Sequence, residues 1–297
     1  MKVAVTGASG LVGRALVRSL REDGHEVVRL VRREPAGADE ARWDPFGAID
    51  AKALDATDAV VHLAGAGIGD HRWTTSYKRQ IRDSRVLGTC NLAETLAGLA
   101  TPPRVLVCAS GMNVYGDTGD HETDETAAPA RPGAGFLSDL ARDWEAAAAP
   151  AADAGIRVVH LRSGHVLAAD GGLLGKLIPL FRLGLGGRLG SGRQWMSWIT
   201  RDDHVAAMRL LIDGDLAGPV NLTSPHPVTN ADFTEALAAA LARPAVLTVP
   251  PVALRLALDG LADEGALISL RVVPGRLTAA GFAFRHPELA SALASIL

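Results

Sequence analysis

The glycine spacing near the start of the chain constrains its fold more than any other feature. Val3-Ala4-Val5 is a short apolar run, residues 6–13 read Thr-Gly-Ala-Ser-Gly-Leu-Val-Gly, and Arg14 to Glu22 has helical character leading to a second apolar run, Val27 to Val31. A strand that turns on glycines into a helix brings backbone N–H groups close to a diphosphate and aims the positive helix end at it. These glycines follow a strand and open a helix within one βαβ unit, so they predict a dinucleotide site built from Gly7, Ser9, Gly10, Leu11 and Gly13.

The end of the second strand selects between cofactors. A carboxylate there would bind the ribose 2′-hydroxyl of NAD, whereas arginine accommodates the extra phosphate of NADP. Arg32 and Arg33 occupy that place, with Arg29 nearby, and the first acid after them is Glu34. A guanidinium fork matches a phosphate in a bidentate way, so the expected cofactor is NADP(H). The other reading of the same arginines is a solvated basic strand end.

Composition narrows the partners. A net charge of −3 over 297 residues leaves no basic field for nucleic acid or an anionic membrane. Cys90 and Cys108 are the only cysteines and lack metal spacing, which fits a reducing compartment. No apolar run of membrane-spanning length escapes interruption by glycine, proline or arginine, and the chain enters a strand without a signal-like leader. The expectation is a cytoplasmic protein acting on a small molecule, with no metal site.

Further along, Ala59 to Gly65 reads as a buried parallel strand, and its end (Leu63, Ala64, Gly65) should lie against the nucleotide. A long helix over residues 75–99 carries Arg85 where it would pass beneath the cofactor. Residues 104–110 form the next strand, 136–149 a helix and 156–161 another strand; such alternation predicts a parallel sheet with helices on both faces. From Asp170 the texture changes: residues 184–192 are glycine-dense, interleaved and followed by Arg188, Arg193, Trp195 and Trp198. This stretch reads as a lid over an anionic or sugar-like substrate, or as a plain connector.

Several motifs together resemble the extended short-chain dehydrogenase/reductase (SDR) superfamily: the Thr-Gly-x-x-Gly-x-x-Gly turn, His62-Leu-Ala-Gly65 and Val114-Tyr-Gly116. More narrowly, the glycine-tryptophan segment 184–199, Asn221-Leu-Thr-Ser-Pro225 and the closing Gly281-Phe-Ala-Phe284 look like the atypical epimerase family proteins with a C-terminal domain of unknown function. The resemblance covers nearly the whole chain and implies NADP(H) binding. The sequence departs from the SDR pattern at the proton relay. Phe136 stands at the place of the SDR catalytic tyrosine and Leu140 at that of its lysine, and Gly111 stands where the paired serine is expected, with Ser110 adjacent. Neither Phe136 nor Leu140 can transfer a proton. The candidates left for that chemistry are Tyr115, Ser110 and His165. Tyr115 reads at least as readily as a core-packed aromatic, and a lone histidine such as His165 is more often structural than catalytic.

The predicted architecture is an α/β doubly wound parallel sheet, a Rossmann domain of the extended SDR type formed by residues 1–166 with 199–222. A smaller, mainly helical substrate lobe is expected from 167–198 with 223–297. Two functions follow: an NADP(H)-dependent oxidoreductase or epimerase-like enzyme for a small polar, sugar- or nucleotide-linked substrate, or a non-catalytic protein that senses NADP(H) and redox state. A homodimer through the helices at 75–99 and 136–149 is a further expectation.

Overall fold

The structure, a computed structural model, describes residues 1–297. In chain order its first elements are β1 (Lys2–Thr6), α1 (Leu11–Glu22), β2 (Glu26–Val31), β3 (Glu40–Arg42), α2 (Ala51–Leu54), β4 (Ala59–His62), α3 (Thr75–Ala97), β5 (Val105–Gly111), α4 (Phe136–Ala146) and β6 (Arg157–Ser163). Together with Gly218–Leu222 the strands make a seven-stranded sheet in which β3, β2, β1, β4, β5 and β6 follow one another before that last strand. β1 pairs in parallel with both β2 and β4, so the strand order reverses direction there. This is the doubly wound parallel sheet expected from the alternating pattern.

The sequence sets these elements by simple means. All four residues of β4 are buried, which explains its unbroken apolar run as a central strand covered on both faces. In α1, Gly13, Leu16, Val17 and Leu20 form one buried stripe at helical spacing. Thr74 caps α3, its hydroxyl accepting from the Tyr77 N–H at 3.1 Å. The helix expected over 136–149 stops at Ala146 and a short second helix, Ala149–Asp153, carries Pro150 in its first turn, because proline cannot donate into a continuing helix.

By compactness the chain divides into two units. One comprises Met1–Ser110, Leu140–Leu161 and Met208–Val220. Its core includes Val60, Leu106, Leu92, Leu96 and Trp43. The other comprises Gly111–Asp139, Arg162–Ala207 and Asn221–Leu297. Its core gathers Leu174, Phe181, Trp198, Phe233 and Leu293. Within the second unit, helices alternate with short ladders: His165–Ala168 pairs with Trp198–Thr200, Trp195–Met196 with Val228–Thr229, and Gly187–Leu189 with Leu247–Val249. The glycine-tryptophan stretch is therefore held by strand pairing rather than left as an open loop. Trp198 is 0% exposed and donates its indole N–H to the His226 carbonyl at 3.1 Å, so it serves packing, not a lid. No helix is long and apolar enough to cross a membrane.

Candidate dinucleotide site

In an open α/β sheet the crevice lies where strand order reverses, here between β1 and β4. A cleft of about 720 Å³ opens at this place, with Gly7, Ser9, Gly10, Arg32, Arg33, Leu63, Ala64 and Gly65 in its wall. Eight of the residues expected at the cofactor are thus brought together.

The floor depends on missing side chains. Gly7 has φ +66°, and a Cβ there would stand 2.8 Å from the Leu63 carbonyl carbon and 2.9 Å from the Ala64 nitrogen. A Cβ on Gly13 would approach the Gly7 oxygen to 2.2 Å, so this glycine lets α1 pack on the turn rather than touch a ligand. Gly10 is the helix cap; it offers no side-chain bond, and the first turn of α1 holds no acid. The first N–H groups of the helix thus meet no protein carboxylate, and their positive end suits an anion.

Thr6 and His62 fix the opposite edge of the floor. The Thr6 hydroxyl accepts from the Leu63 and Ala64 N–H groups at 3.1 and 3.2 Å and lies 2.7 Å from His62 Nδ1. With both N–H groups pointing at its oxygen, the hydroxyl donates to Nδ1, which leaves the ring proton on Nε2. Burial, with help from the charge of Arg85, pulls His62 down to about 4, so the ring is neutral at pH 7. Sequence reasoning passed over this pair; the signal was a polar residue at the C-terminal end of each of two adjacent parallel strands.

The arginine wall is less uniform than the sequence suggested. Arg33 directs both terminal nitrogens to Glu40, at 2.7 and 2.6 Å. Glu40 also accepts from the Ala36 N–H at 2.7 Å and from Arg29 at 3.0 Å. The Arg33 fork, then the Ala36 N–H, hold the Glu40 carboxyl below the usual range. Arg32 is exposed on the cleft wall and makes no ion pair. The two neighbouring arginines therefore differ: one is braced by a carboxylate and the other is free.

Arg85 does not line the cleft; it supports it from below. Its guanidinium donates to the Ala66 carbonyl at 2.9 Å and to the Ile81 carbonyl at 3.2 Å, and its Cζ lies 4.9 Å from the centre of the Trp144 ring. A Cβ on Gly65 would come within 3.1 Å of that Cζ. Burial lowers Arg85 to about 10, which still leaves it charged at neutral pH. Leu11 likewise lies outside the cleft wall, in the first turn of α1. The cleft wall adds residues that sequence reasoning did not assign to the cofactor, among them Trp43, Phe46, His71 and Tyr77.

Each candidate for proton transfer has its own partners. The Ser110 hydroxyl donates to Glu145 Oε1 at 2.8 Å. Tyr115 is 7% exposed; its hydroxyl donates to Asn221 Oδ1 at 2.8 Å and accepts from Arg162 at 2.9 Å, while the same guanidinium stacks 4.9 Å from its ring. Burial raises the Tyr115 hydroxyl above its usual range despite Arg162. His165 sits in the ladder with Trp198, its backbone N–H bonded to Ser197, and desolvation lowers it to about 4. Phe136 starts α4 and Leu140 is buried at 4%.

A doubly wound sheet with a glycine turn at its reversal and a cleft above it defines a dinucleotide-binding α/β protein. The chain belongs to the NAD dependent epimerase/dehydratase family, whose profile matches residues 3–222; a domain of unknown function, DUF1731, matches residues 249–296. An epimerase family protein of Mycobacterium bovis is 47% identical over 98% of this chain and 96% of its own length. The crystal structure of human epimerase family protein SDR39U1 (isoform 2) with NADPH superimposes with a TM-score of 0.92 at 34% identity, covering 100% of this chain and 99% of that one. A nucleoside-diphosphate sugar epimerase from Corynebacterium glutamicum gives a TM-score of 0.82 at 38% identity, covering 100% of this chain and 58% of that longer one.

Proposed function

We propose that the protein binds NADP(H) in this cleft, the diphosphate over the Gly7–Gly10 turn and the 2′-phosphate against Arg32 and Arg33. On this reading it acts as an oxidoreductase or epimerase-like enzyme on a small polar substrate bearing a sugar or nucleotide. The observation that carries the cofactor assignment is Arg32: an exposed guanidinium on the cleft wall with no carboxylate to neutralise it. Gly7 lets the turn press against the Leu63–Ala64 backbone, where a Cβ would collide, and the turn opens α1, whose first turn carries no acid and so suits a diphosphate. The human relative crystallised with NADPH and the sugar-nucleotide epimerase named among the structural neighbours support the cofactor and the substrate class. Calorimetric titration of NADPH and NADH tests the reading; equal affinities would overturn it.

When bound, the cofactor supplies or accepts a hydride. The chain's own task is to hold the two phosphate regions and to provide a proton. The bonds of Ser110 to Glu145 and of Tyr115 to Asn221 and Arg162 commit both hydroxyls to protein partners. That commitment, with hydrocarbon at Phe136 and Leu140, favours a second reading in which the protein senses NADP(H) without turnover. Nicotinamide absorbance followed with NADPH and a panel of carbonyl and sugar-nucleotide substrates separates the two. Consumption supports the enzyme, and tight binding with no consumption across the panel supports the sensor.

A further inference from the structure

The carboxylate in the arginine wall points to a residue that shapes cofactor choice without being one of the cationic contacts. We propose that Glu40 is the positioning residue for 2′-phosphate recognition: it holds Arg33 in a fixed fork beside Arg32, so that one arginine supplies free charge and the other a preset shape. This rests on the NADP(H) reading of the cleft.

Glu40 opens β3, where the parallel register sets it beside Arg29. Its side chain is 1% exposed, yet the residue belongs to the cleft wall. Its two oxygens receive both terminal nitrogens of Arg33, the Ala36 N–H and one nitrogen of Arg29. A buried carboxylate is costly unless every acceptor direction is used, and here it is. The donors come from three places, so one group ties the end of β2, the loop after it and the start of β3 together.

Arg33 gains most from this arrangement. Its side chain is 57% exposed, and an exposed arginine otherwise samples many rotamers. Ordering such a side chain on binding costs conformational entropy that a side chain already held in place does not lose. The bond to Glu40, assisted by one from Arg33 to the Glu34 carbonyl at 2.8 Å, sets that order before any ligand arrives. The pairing also has an electrostatic consequence. Glu40 offsets much of the Arg33 charge, which leaves Arg32 as the uncompensated cation on this wall.

The test uses two ligands that differ only by the phosphate in question, adenosine 2′,5′-bisphosphate and adenosine 5′-monophosphate, titrated into the whole protein. Wild type should prefer the bisphosphate. Glu40→Gln should lower that preference about tenfold while the monophosphate binds within about twofold of wild type. Arg33→Ala should do the same, and the double variant should lose no more than either single one, because the carboxylate acts through that arginine. An increased or unchanged preference in Glu40→Gln, or additive losses in the double variant, would overturn the inference. If Glu40→Gln does not fold, Arg33→Lys decides: it keeps the charge and loses the fork, so it should be as damaging as Arg33→Ala. Retained preference in Arg33→Lys would sink the proposal. No preference in wild type would instead remove the NADP(H) reading itself.

Discussion

Arg32 presents one unpaired guanidinium to the cleft. A charge-assisted hydrogen bond contributes about 1.5–3 kcal/mol, so Arg32→Ala should weaken NADPH by about tenfold to a hundredfold and leave NADH within about twofold. Titration calorimetry reads both, and equal losses would show that Arg32 does not meet the 2′-phosphate. Tyr115 makes the opposite case. Its hydroxyl joins Asn221 and Arg162, and Asn221 in turn donates to the Val273 carbonyl at 2.9 Å and bonds through its N–H to Glu125 at 2.7 Å. Tyr115→Phe leaves a buried acceptor and a buried guanidinium short of a partner, a loss of about 1–3 kcal/mol of stability. Urea unfolding should show that loss with NADPH affinity unchanged. A variant of full stability that loses turnover would instead make Tyr115 the proton donor.

At the scale of elements, the two ends of α1 separate two ways in which a glycine is required. Gly13 sits where helix and turn touch, and a Cβ would stand 2.2 Å from the Gly7 oxygen, which is backbone and cannot rotate away. Gly24 has φ +75° with nothing within 4 Å of the added carbon. Gly24→Ala therefore meets only the left-handed backbone penalty, about 1–2 kcal/mol, whereas Gly13→Ala, in ordinary helical backbone, must push α1 off the glycine turn. The expected outcome is a modest drop in melting temperature for the first. The second should drop further and lose NADPH affinity as well; equal behaviour would mean that helix contact does not shape the site. The contrast marks what the sequence could reveal. Gly7, Gly10 and Arg32 were legible because strand, turn and strand end occur within one local βαβ unit. The capture of Arg33 by Glu40 was not, since it depends on the register of β3 against β2, which no local pattern reports. The same holds for Trp198: aromatic and glycine content suggested a loop, while pairing with His165–Ala168 and a fully buried indole came from contacts distant in the chain.

At the scale of the molecule, three histidines couple folding to acidity. His62 and His204 are buried at 0% and 2% exposure, His165 is half-buried, and desolvation lowers each of them to about 4. His204 Nε2 lies 2.9 Å from the Ser163 hydroxyl, and its Nδ1 has no partner to welcome a proton. In the unfolded chain each ring titrates near 6.5, so between pH 6.5 and about 4 the unfolded state binds more protons than the folded one. Stability is therefore complete above pH 6.5 and falls as pH drops through that window. For a fully buried ring the depression corresponds to about 3 kcal/mol, with a smaller share for His165 because it keeps contact with water. The carboxylates held low by arginines, Asp39 and Glu40, release their contribution only at more acid pH, so the two effects separate. Urea midpoints measured at intervals from pH 7.5 to 4.5 should fall steadily below 6.5, and His204→Gln should make the decline shallower by about one proton. A midpoint that stays level to pH 5 would mean these rings take up protons within the fold as readily as outside it.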